Sequence, residues 1–341
     1  MENSDRNKNT LALSFIAYGG FYKTSTGNTE IAKALRLFES VIGDQELVWG
    51  PAVHKSGIFQ DALMFVVYSR NEIGPEYTVV IRGTNPVSLK TWIFQDLMVH
   101  KLVDWNNGDD LVSGRKISQG TSTGLTILKQ LKPPEGFPGE NRTALEFLTE
   151  AACTSSTPLT VTLTGHSLGA ALAPVYGLYL KENLTATNVQ LQMYTYASPS
   201  IGNQPFADYI NTVFNGCSFR YTNPLDVVTN VWNQNDVKKI MFLYRWIIPF
   251  TLSPALLWVF LQARNKGYTH IHKEFRVESN IIAGLLTFEL QMVYQHIVPY
   301  IASLIDLCDE KSFTEMIHTI EQGRFFKKWG LNRVLKKLTV R

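Results

Sequence analysis

One segment near the middle of the chain, residues 159–180, constrains the fold more than any other. Its first six residues, LTVTLT, alternate apolar side chains with threonine, a pattern typical of a β-strand. From Leu168 onward, alanine, leucine and tyrosine recur at helical spacing. Gly165 and Gly169 therefore flank a strand-to-helix turn, where small residues allow the two backbones to approach closely.

This turn carries a serine, Ser167, between the two glycines. A sharp strand-to-helix turn holds its central residue near positive φ and exposes that side chain at the carboxyl end of the strand. The N–H groups that begin the next helix lie beside it and can stabilise a developing negative charge. The segment GHSLG thus predicts a nucleophile elbow, with Ser167 as the nucleophile and the N–H of Leu168 as an oxyanion donor.

Strand-like and helical segments alternate along the rest of the chain. The patterns predict strands at 62–69, 77–83, 189–197 and 217–222, and helices at 10–18, 29–41, 117–131, 142–152 and 204–213. Such alternation predicts an α/β fold with a mostly parallel central sheet flanked by helices, and with ligands at the carboxyl ends of the strands. No low-complexity linker interrupts the 341 residues, so we expect a single domain over residues 1–341.

The composition is that of an ordinary globular protein, with 45% hydrophobic and 18% charged residues. A net charge of only +3 gives no reason to expect a nucleic-acid partner. Three cysteines could form at most one disulfide, and no export signal is evident near the first residue. We therefore expect a cytoplasmic location, with peripheral attachment to a membrane as a variant of it. The oligomeric state is left open.

A serine hydroxyl needs a base and an orienting carboxylate to become nucleophilic at neutral pH. In an α/β sheet of this kind the three residues follow in the order serine, acid, histidine. The best acid is Asp226, because it follows the strand predicted at 217–222 and an Asn-Pro turn signal. Asp208 and Asp236 are less well placed.

Three histidines follow Asp226 at a suitable distance along the chain: His270, His272 and His296. Pro299 suits the first turn of a helix, so His296 is expected on the connection just before it. These patterns alone favour His296 only slightly over the other two.

Five sequence blocks in order resemble the class 3, or fungal-type, triacylglycerol lipases over roughly residues 60–300. The blocks are IRGT (81–84), TGHSLGA (164–170), YASPSIGN (196–203), NPLDVV (223–228) and GYTHIHKEF (267–275). The resemblance implies the α/β-hydrolase fold and a catalytic triad of Ser167, Asp226 and His296. In that family the Tyr-x-His block precedes the catalytic histidine, and an aromatic residue follows it, as Tyr300 does here. The family also places an oxyanion-binding hydroxyl residue after Arg-Gly, which is Thr84 in this chain.

The residues after Thr84 have an amphipathic pattern. Leu89, Trp92 and Ile93 recur at helical spacing with polar residues between them. The resemblance implies that this segment, near 85–98, is a lid helix that covers the site in water and opens on a lipid surface. The alternative is an ordinary surface helix.

Two further segments suggest contact with lipid. Residues 240–264 form an apolar insertion, in which the 16 residues from 246 to 261 carry no charge and include two prolines. It is short and broken for a membrane span, so a buried cap over the acyl chain, an interfacial patch and a span remain as alternatives. The tail 323–341 carries seven basic residues and no acidic one. That composition is typical of a helix on an anionic membrane surface, although a solvated helix docked by its apolar side also fits.

Together these features predict a serine hydrolase that cleaves carboxylic esters of lipids, such as triacylglycerols or related acylglycerols, through an acyl-enzyme. The chemistry requires no metal and no organic cofactor. The expected partner is a lipid ester substrate, met at a lipid–water interface or at a membrane surface. Alternatives are a short-chain or feruloyl-type esterase, a phospholipase A1, and a catalytically dead module that binds lipid or membrane.

Overall fold

The structure is a computed structural model, and it describes residues 2–18, 27–54, 62–71, 74–83, 99–105, 114–244, 253–271, 274–282 and 288–304. Its strands are β1 (Glu46–Val53), β2 (Leu63–Asn71), β3 (Gly74–Ile81), β4 (Leu102–Asp104), β5 (Lys116–Ser118), β6 (Leu159–His166), β7 (Val189–Tyr196), β8 (Gly202–Asn203), β9 (Ser218–Thr222), β10 (Tyr268–Thr269) and β11 (Glu274–Arg276).

Within the described residues, seven of these strands form the central sheet in the order β1-β2-β3-β6-β7-β9-β11. The first two pairs are antiparallel, and the four pairs from β3 to β11 are parallel. Strands β10, β8, β5 and β4 form a small antiparallel sheet in that order. The predicted α/β fold with a mostly parallel sheet is confirmed.

The described helices are α1 (Glu2–Ile16), α2 (Gly27–Leu37), α3 (Glu39–Ile42), α4 (Gln119–Gln130), α5 (Ala144–Thr154), α6 (Leu168–Asn183), α7 (Gln204–Val213), α8 (Val227–Asn230), α9 (Gln234–Tyr244), α10 (Ser253–Ala263) and α11 (Phe288–Ala302). Side-chain caps fix where several begin. Ser118 caps α4, and Thr143 with Glu146 forms a capping box at α5.

The core is centred on β6 and the helix that follows it. All but one residue of β6 are buried, and α6 is buried continuously from Leu168 to Leu180. A helix that is buried on all sides needs apolar or small residues all round, which its alanine-rich sequence supplies. The turn between β6 and α6 is thus held rigidly inside the molecule.

Several elements differ from the sequence expectations, among them α1 and β1. Helix α1 begins at Glu2, earlier than predicted, because its polar side chains bind the sheet: the Arg6 guanidinium pairs with Glu76 at 3.1 Å, and the Thr10 hydroxyl lies 2.8 Å from the Tyr196 hydroxyl. Strand β1 is absent from the predicted strands; its sequence, ELVWGPAV, contains a Gly-Pro pair of the kind that marks turns.

Several predicted features lie outside the described residues: Thr84, the segment 85–98 with Leu89, Trp92 and Ile93, His272, and the tail 323–341. The insertion 240–264 is described only in part, by the end of α9 and by α10 with Arg264. No helix in the described part of the chain is long and apolar enough to cross a membrane.

Candidate active site

Ser167 occupies the turn between β6 and α6 in a strained backbone conformation, with φ 60° and ψ −122°. The flanking glycines make the turn possible. A Cβ on Gly165 would lie 2.5 Å from the backbone carbonyl carbon of Gly169, and a Cβ on Gly169 would overlap the carbonyl oxygen of Ile81. This is the geometry of a nucleophile elbow, and it presents the serine at the carboxyl end of β6.

Asp226 follows the carboxyl end of strand β9, which is separated from β6 by β7 in the sheet, and it caps α8. Its carboxylate is fully buried and accepts hydrogen bonds from three donors in the described part of the chain. Oδ1 accepts the N–H of Val228 at 2.8 Å, while Oδ2 accepts Nδ1–H of His296 at 2.9 Å and the hydroxyl of Tyr300 at 3.2 Å. These donors compensate for burial of the charge and fix the direction of the carboxylate.

His296 lies within helix α11 rather than on a connection before it, so the expectation drawn from Pro299 is wrong. The helix begins at Phe288 and contains the proline in its interior. Proline provides no N–H to the carbonyl four residues earlier, which is that of Gln295. The side-chain amide of Asn223 donates to this carbonyl instead, at 2.8 Å. This replacement explains how the proline is tolerated inside the helix.

The two atoms that would react are both buried and unpartnered. Ser167 is 1% exposed and His296 is 2% exposed. Neither Oγ of Ser167 nor Nε2 of His296 has a hydrogen-bond partner among the described residues. Because Nδ1–H of His296 donates to Asp226, Nε2 keeps its lone pair and can act as a base. Buried polar atoms are normally satisfied, so two orphans in one region indicate atoms kept available for a reaction.

His166, the residue before the serine, links the elbow to the helix of His296. Its ring packs on the His296 ring at 4.6 Å, and its Nε2–H donates to the backbone carbonyl of His296 at 2.8 Å. The hydroxyl of Tyr18 lies 3.2 Å from both Nδ1 and the carbonyl oxygen of His166. Burial, together with the nearby His296, holds the pKa of His166 well below its usual value, so its imidazole is neutral.

Tyr300 is a hydrogen-bond partner of Asp226 that the sequence analysis did not predict. Its hydroxyl donates to Asp226 and accepts the backbone N–H of Asn223 at 2.8 Å. Burial, and then the charge of Asp226, raises the pKa of Tyr300 well above its usual value, so the phenol remains a donor. Its only signal in the sequence is its position four residues after His296.

The oxyanion side of the site is described as far as Gly83. Leu168 is the first residue of α6, where helix N–H groups have no carbonyl partner within the helix. A Cβ on Gly83 would lie 3.2 Å from Cβ of Ser167, so the chain passes beside the serine immediately before Thr84.

His270 belongs to a different cluster. Its Nε2–H donates to Asp236 at 3.1 Å, and its Nδ1 accepts from the Ser200 hydroxyl at 3.0 Å and from Arg220 at 3.2 Å. Burial, and then the charge of Arg220, lowers the pKa of His270 to about 4. The hydrogen bond from His270 and then Lys239 lower the pKa of Asp236 to about 2. The structure therefore brings His296, and not His270, to Asp226.

Comparison with known proteins gives a consistent result. The family model described as Lipase (class 3) matches residues 78–236. The crystal structure of M37 lipase superposes with a TM-score of 0.77 and 30% sequence identity, over 91% of this chain and 97% of that chain.

Two curated relatives match shorter segments. A secreted mono- and diacylglycerol lipase of Fusarium solani is 34% identical over 99 residues, which are 29% of this chain and 26% of that protein. A second one, from Malassezia globosa, is 39% identical over 71 residues, which are 21% of this chain and 22% of that protein. The chain thus matches about a quarter of the length of these relatives. Both are named as secreted, which contradicts the expected cytoplasmic location; three cysteines and a polar first segment do not discriminate between compartments.

Proposed function

We propose, because the chain belongs to the class 3 lipase family, that it hydrolyses carboxylic esters of lipids through an acyl-enzyme formed on Ser167. The comparisons confirm the family membership that the sequence blocks predicted. One observation carries the catalytic proposal: Oγ of the buried Ser167, which has positive φ, and Nε2 of His296, whose Nδ1 is bound to Asp226, both lack a hydrogen-bond partner among the described residues.

In the proposed reaction Nε2 of His296 takes the hydroxyl proton as Oγ of Ser167 attacks the ester carbonyl carbon. The carbonyl π electrons move to the oxygen, and the N–H of Leu168 and the residue Thr84 stabilise that oxyanion. Collapse of the intermediate breaks the ester bond, and His296 returns the proton to the leaving alcohol. A water molecule then repeats the sequence on the acyl-enzyme, releasing the fatty acid and restoring Ser167.

The surroundings favour this proton transfer. When His296 becomes an imidazolium, its positive charge forms next to the buried carboxylate of Asp226, 2.9 Å from Nδ1. His166 packs against the other side of the ring as a neutral imidazole, so it adds no repulsion. The hydrogen bond from His166 to the backbone carbonyl of His296 ties helix α11 to the elbow.

The substrate class is proposed from the relatives and from the insertion. The two curated relatives are named mono- and diacylglycerol lipases. The strongly apolar composition of residues 240–264 suits a protein that acts on lipid, and it assigns none of these residues to the acyl-chain pocket. We therefore infer acylglycerols with fatty acyl chains as substrates, segment 85–98 as the lid, and an extracellular place of action.

The test is hydrolysis of p-nitrophenyl esters from acetate to palmitate, followed by mono-, di- and triacylglycerols, with Ser167→Ala as the blank. A fluorophosphonate probe should label the wild-type protein at Ser167 and leave the variant unmodified. A preference for long chains, with a rise in rate above the solubility limit, supports a lipase. A maximum at acetate or butyrate would instead indicate a short-chain esterase, and absence of any rate dependent on Ser167 would refute the proposed reaction.

A further inference from the structure

Helices α9 and α10 present an exposed apolar surface that the catalytic proposal does not use. Among the described residues, five large hydrophobic side chains are exposed, and four of them lie here: Phe242 (60%), Leu257 (44%), Trp258 (41%) and Leu261 (50%). We call these four residues the α9–α10 face. The fifth, Leu37, lies on α2. Such clustering is unlike the scattered exposure that is normal on a protein surface.

The periodicity of α10 shows that this exposure is one-sided. Leu257 and Leu261 are four residues apart and therefore share one side of the helix. Val259 and Ala263 are fully buried on another side. On α9, Lys238 lies four residues before Phe242 and so on the same side of the helix. The Lys238 ammonium group lies 5.6 Å from the centre of the Phe260 ring, which belongs to α10. The exposed sides of the two helices are thereby joined.

The charges around this face have one predominant sign. Residues 234–266 contain five basic residues and a single acidic one, Asp236. The carboxylate of Asp236 is already bound by Lys239 at 2.6 Å and by His270 at 3.1 Å. Lys238 and Arg264 are exposed. An apolar surface with a basic margin is the pattern of a helix that lies on an anionic lipid interface.

The face is also attached to both elements that carry the proposed base and acid. Tyr244, at the end of α9, is fully buried, and its hydroxyl donates to the backbone carbonyl of Leu225 at 2.7 Å. Leu225 directly precedes Asp226. The Tyr244 ring packs edge-on against Phe288 at 5.8 Å, and Phe288 begins the helix of His296. A lipid surface held at this face would lie next to the part of the molecule that contains the active site.

We propose that the α9–α10 face docks the protein onto an anionic lipid surface. The inference extends the proposed function, on which it rests, by assigning the surface from which substrate is taken. The leucine and aromatic side chains would enter the interface, while Lys238 and Arg264 would bind anionic headgroups. A second copy of this chain fits less well, because two such faces would bring their basic margins together.

The proposal is tested by sedimentation with vesicles of equimolar phosphatidylglycerol and phosphatidylcholine, using Leu261→Glu and the matched control Leu37→Glu. Leu261→Glu should weaken binding about tenfold or more, because a leucine that would enter the lipid interface is replaced by a charge that anionic lipid repels. Leu37→Glu should bind like the wild type. Both substitutions are at exposed positions, and thermal unfolding should show both folded.

A second pair of variants tests whether the α9–α10 face prefers anionic lipid. Lys238→Gln should weaken binding to these vesicles about fivefold and have little effect on pure phosphatidylcholine. Lys33→Gln, at an exposed lysine of α2, should change neither. Equal binding to both kinds of vesicle, with no effect of Lys238→Gln, would overturn the proposed selectivity for anionic lipid.

Two measurements separate this inference from the proposed function. Hydrolysis of soluble p-nitrophenyl butyrate should be unchanged in Leu261→Glu, and Ser167→Ala should bind vesicles like the wild type while hydrolysing no ester. Loss of vesicle binding in Leu37→Glu to the same degree as in Leu261→Glu would refute the face. A dimer in sedimentation velocity that Leu261→Glu dissociates, without vesicle binding, would assign the face to a second copy and overturn the lipid proposal.

Discussion

Replacement of Gly169 by alanine tests whether the elbow depends on the close approach of two backbones. The added Cβ would overlap the carbonyl oxygen of Ile81, whereas ordinary carbon–oxygen contacts begin near ~3.3 Å. The obstructing atom belongs to the backbone of a central strand, so no side chain can turn aside. Overpacking of this kind costs about 3 kcal/mol, and the higher helix propensity of alanine returns about 1 kcal/mol. We therefore expect a net loss of about 2 kcal/mol in the free energy of unfolding.

The assay is urea unfolding, in which this loss should lower the midpoint by about 0.7 M at a slope of ~3 kcal/mol/M. Relief of this overlap would move Gly169 away from β3 and displace Ser167, which lies two residues earlier in the same turn. Ester hydrolysis should therefore also fall about a hundredfold. Gly177→Ala is the matched control, since it lies in the same helix and its added Cβ would meet only side-chain atoms at 3.3 Å or more. It should be neutral or stabilising by up to about 1 kcal/mol. If Gly169→Ala behaves like this control, the close-approach argument is refuted.

Three further predictions follow from the hydrogen bonds. Asp226→Asn should lower kcat on p-nitrophenyl butyrate about 10⁴-fold, with thermal unfolding showing the variant folded at the assay temperature, because the amide no longer fixes the tautomer of the base; a loss below tenfold would contradict that role. Tyr300→Phe should cost about 1–3 kcal/mol in urea unfolding, because the buried N–H of Asn223 loses its acceptor, whereas Tyr294→Phe on the same helix should cost less. The folded-state pKa of His270 is about 4 against an ordinary 6.5, so the unfolded chain binds the proton first as the pH falls. Stability should therefore drop by about 3 kcal/mol between pH 6.5 and 4, and His270→Gln should flatten this dependence; an unchanged slope would show that another group causes it.

The elbow and the sheet could be predicted from the sequence because their determinants are local. The alternation from Leu159 to Thr164 and the helical spacing after Leu168 each involve residues a few positions apart, and the structure forms β6 and α6 over those segments. The position of Asp226 after β9 follows from a strand pattern and a turn signal of the same local kind. The roles of Thr84 and of the segment 85–98 rest on the family resemblance and stay predictions.

The histidine was harder to place because its environment is made by distant residues. Pro299 normally indicates a helix start, yet it lies inside α11, because the side chain of Asn223 donates to the carbonyl of Gln295, 72 residues later. A pattern within one segment contains no information about such a donor. The same holds for the contact between Tyr18 and His166, which joins residues 148 positions apart.

By itself, the sequence determined the α/β alternation, the family, and a serine held in a tight glycine-flanked turn, since backbone sterics and side-chain periodicity act over a few residues. Only the tertiary structure decided which histidine meets Asp226, which donors compensate the buried carboxylate, and which apolar side chains remain exposed on α9 and α10. The physical reason is that hydrogen bonds and burial depend on the distance between atoms in space, and residues far apart along the chain acquire that distance only when the whole sheet and its helices have packed.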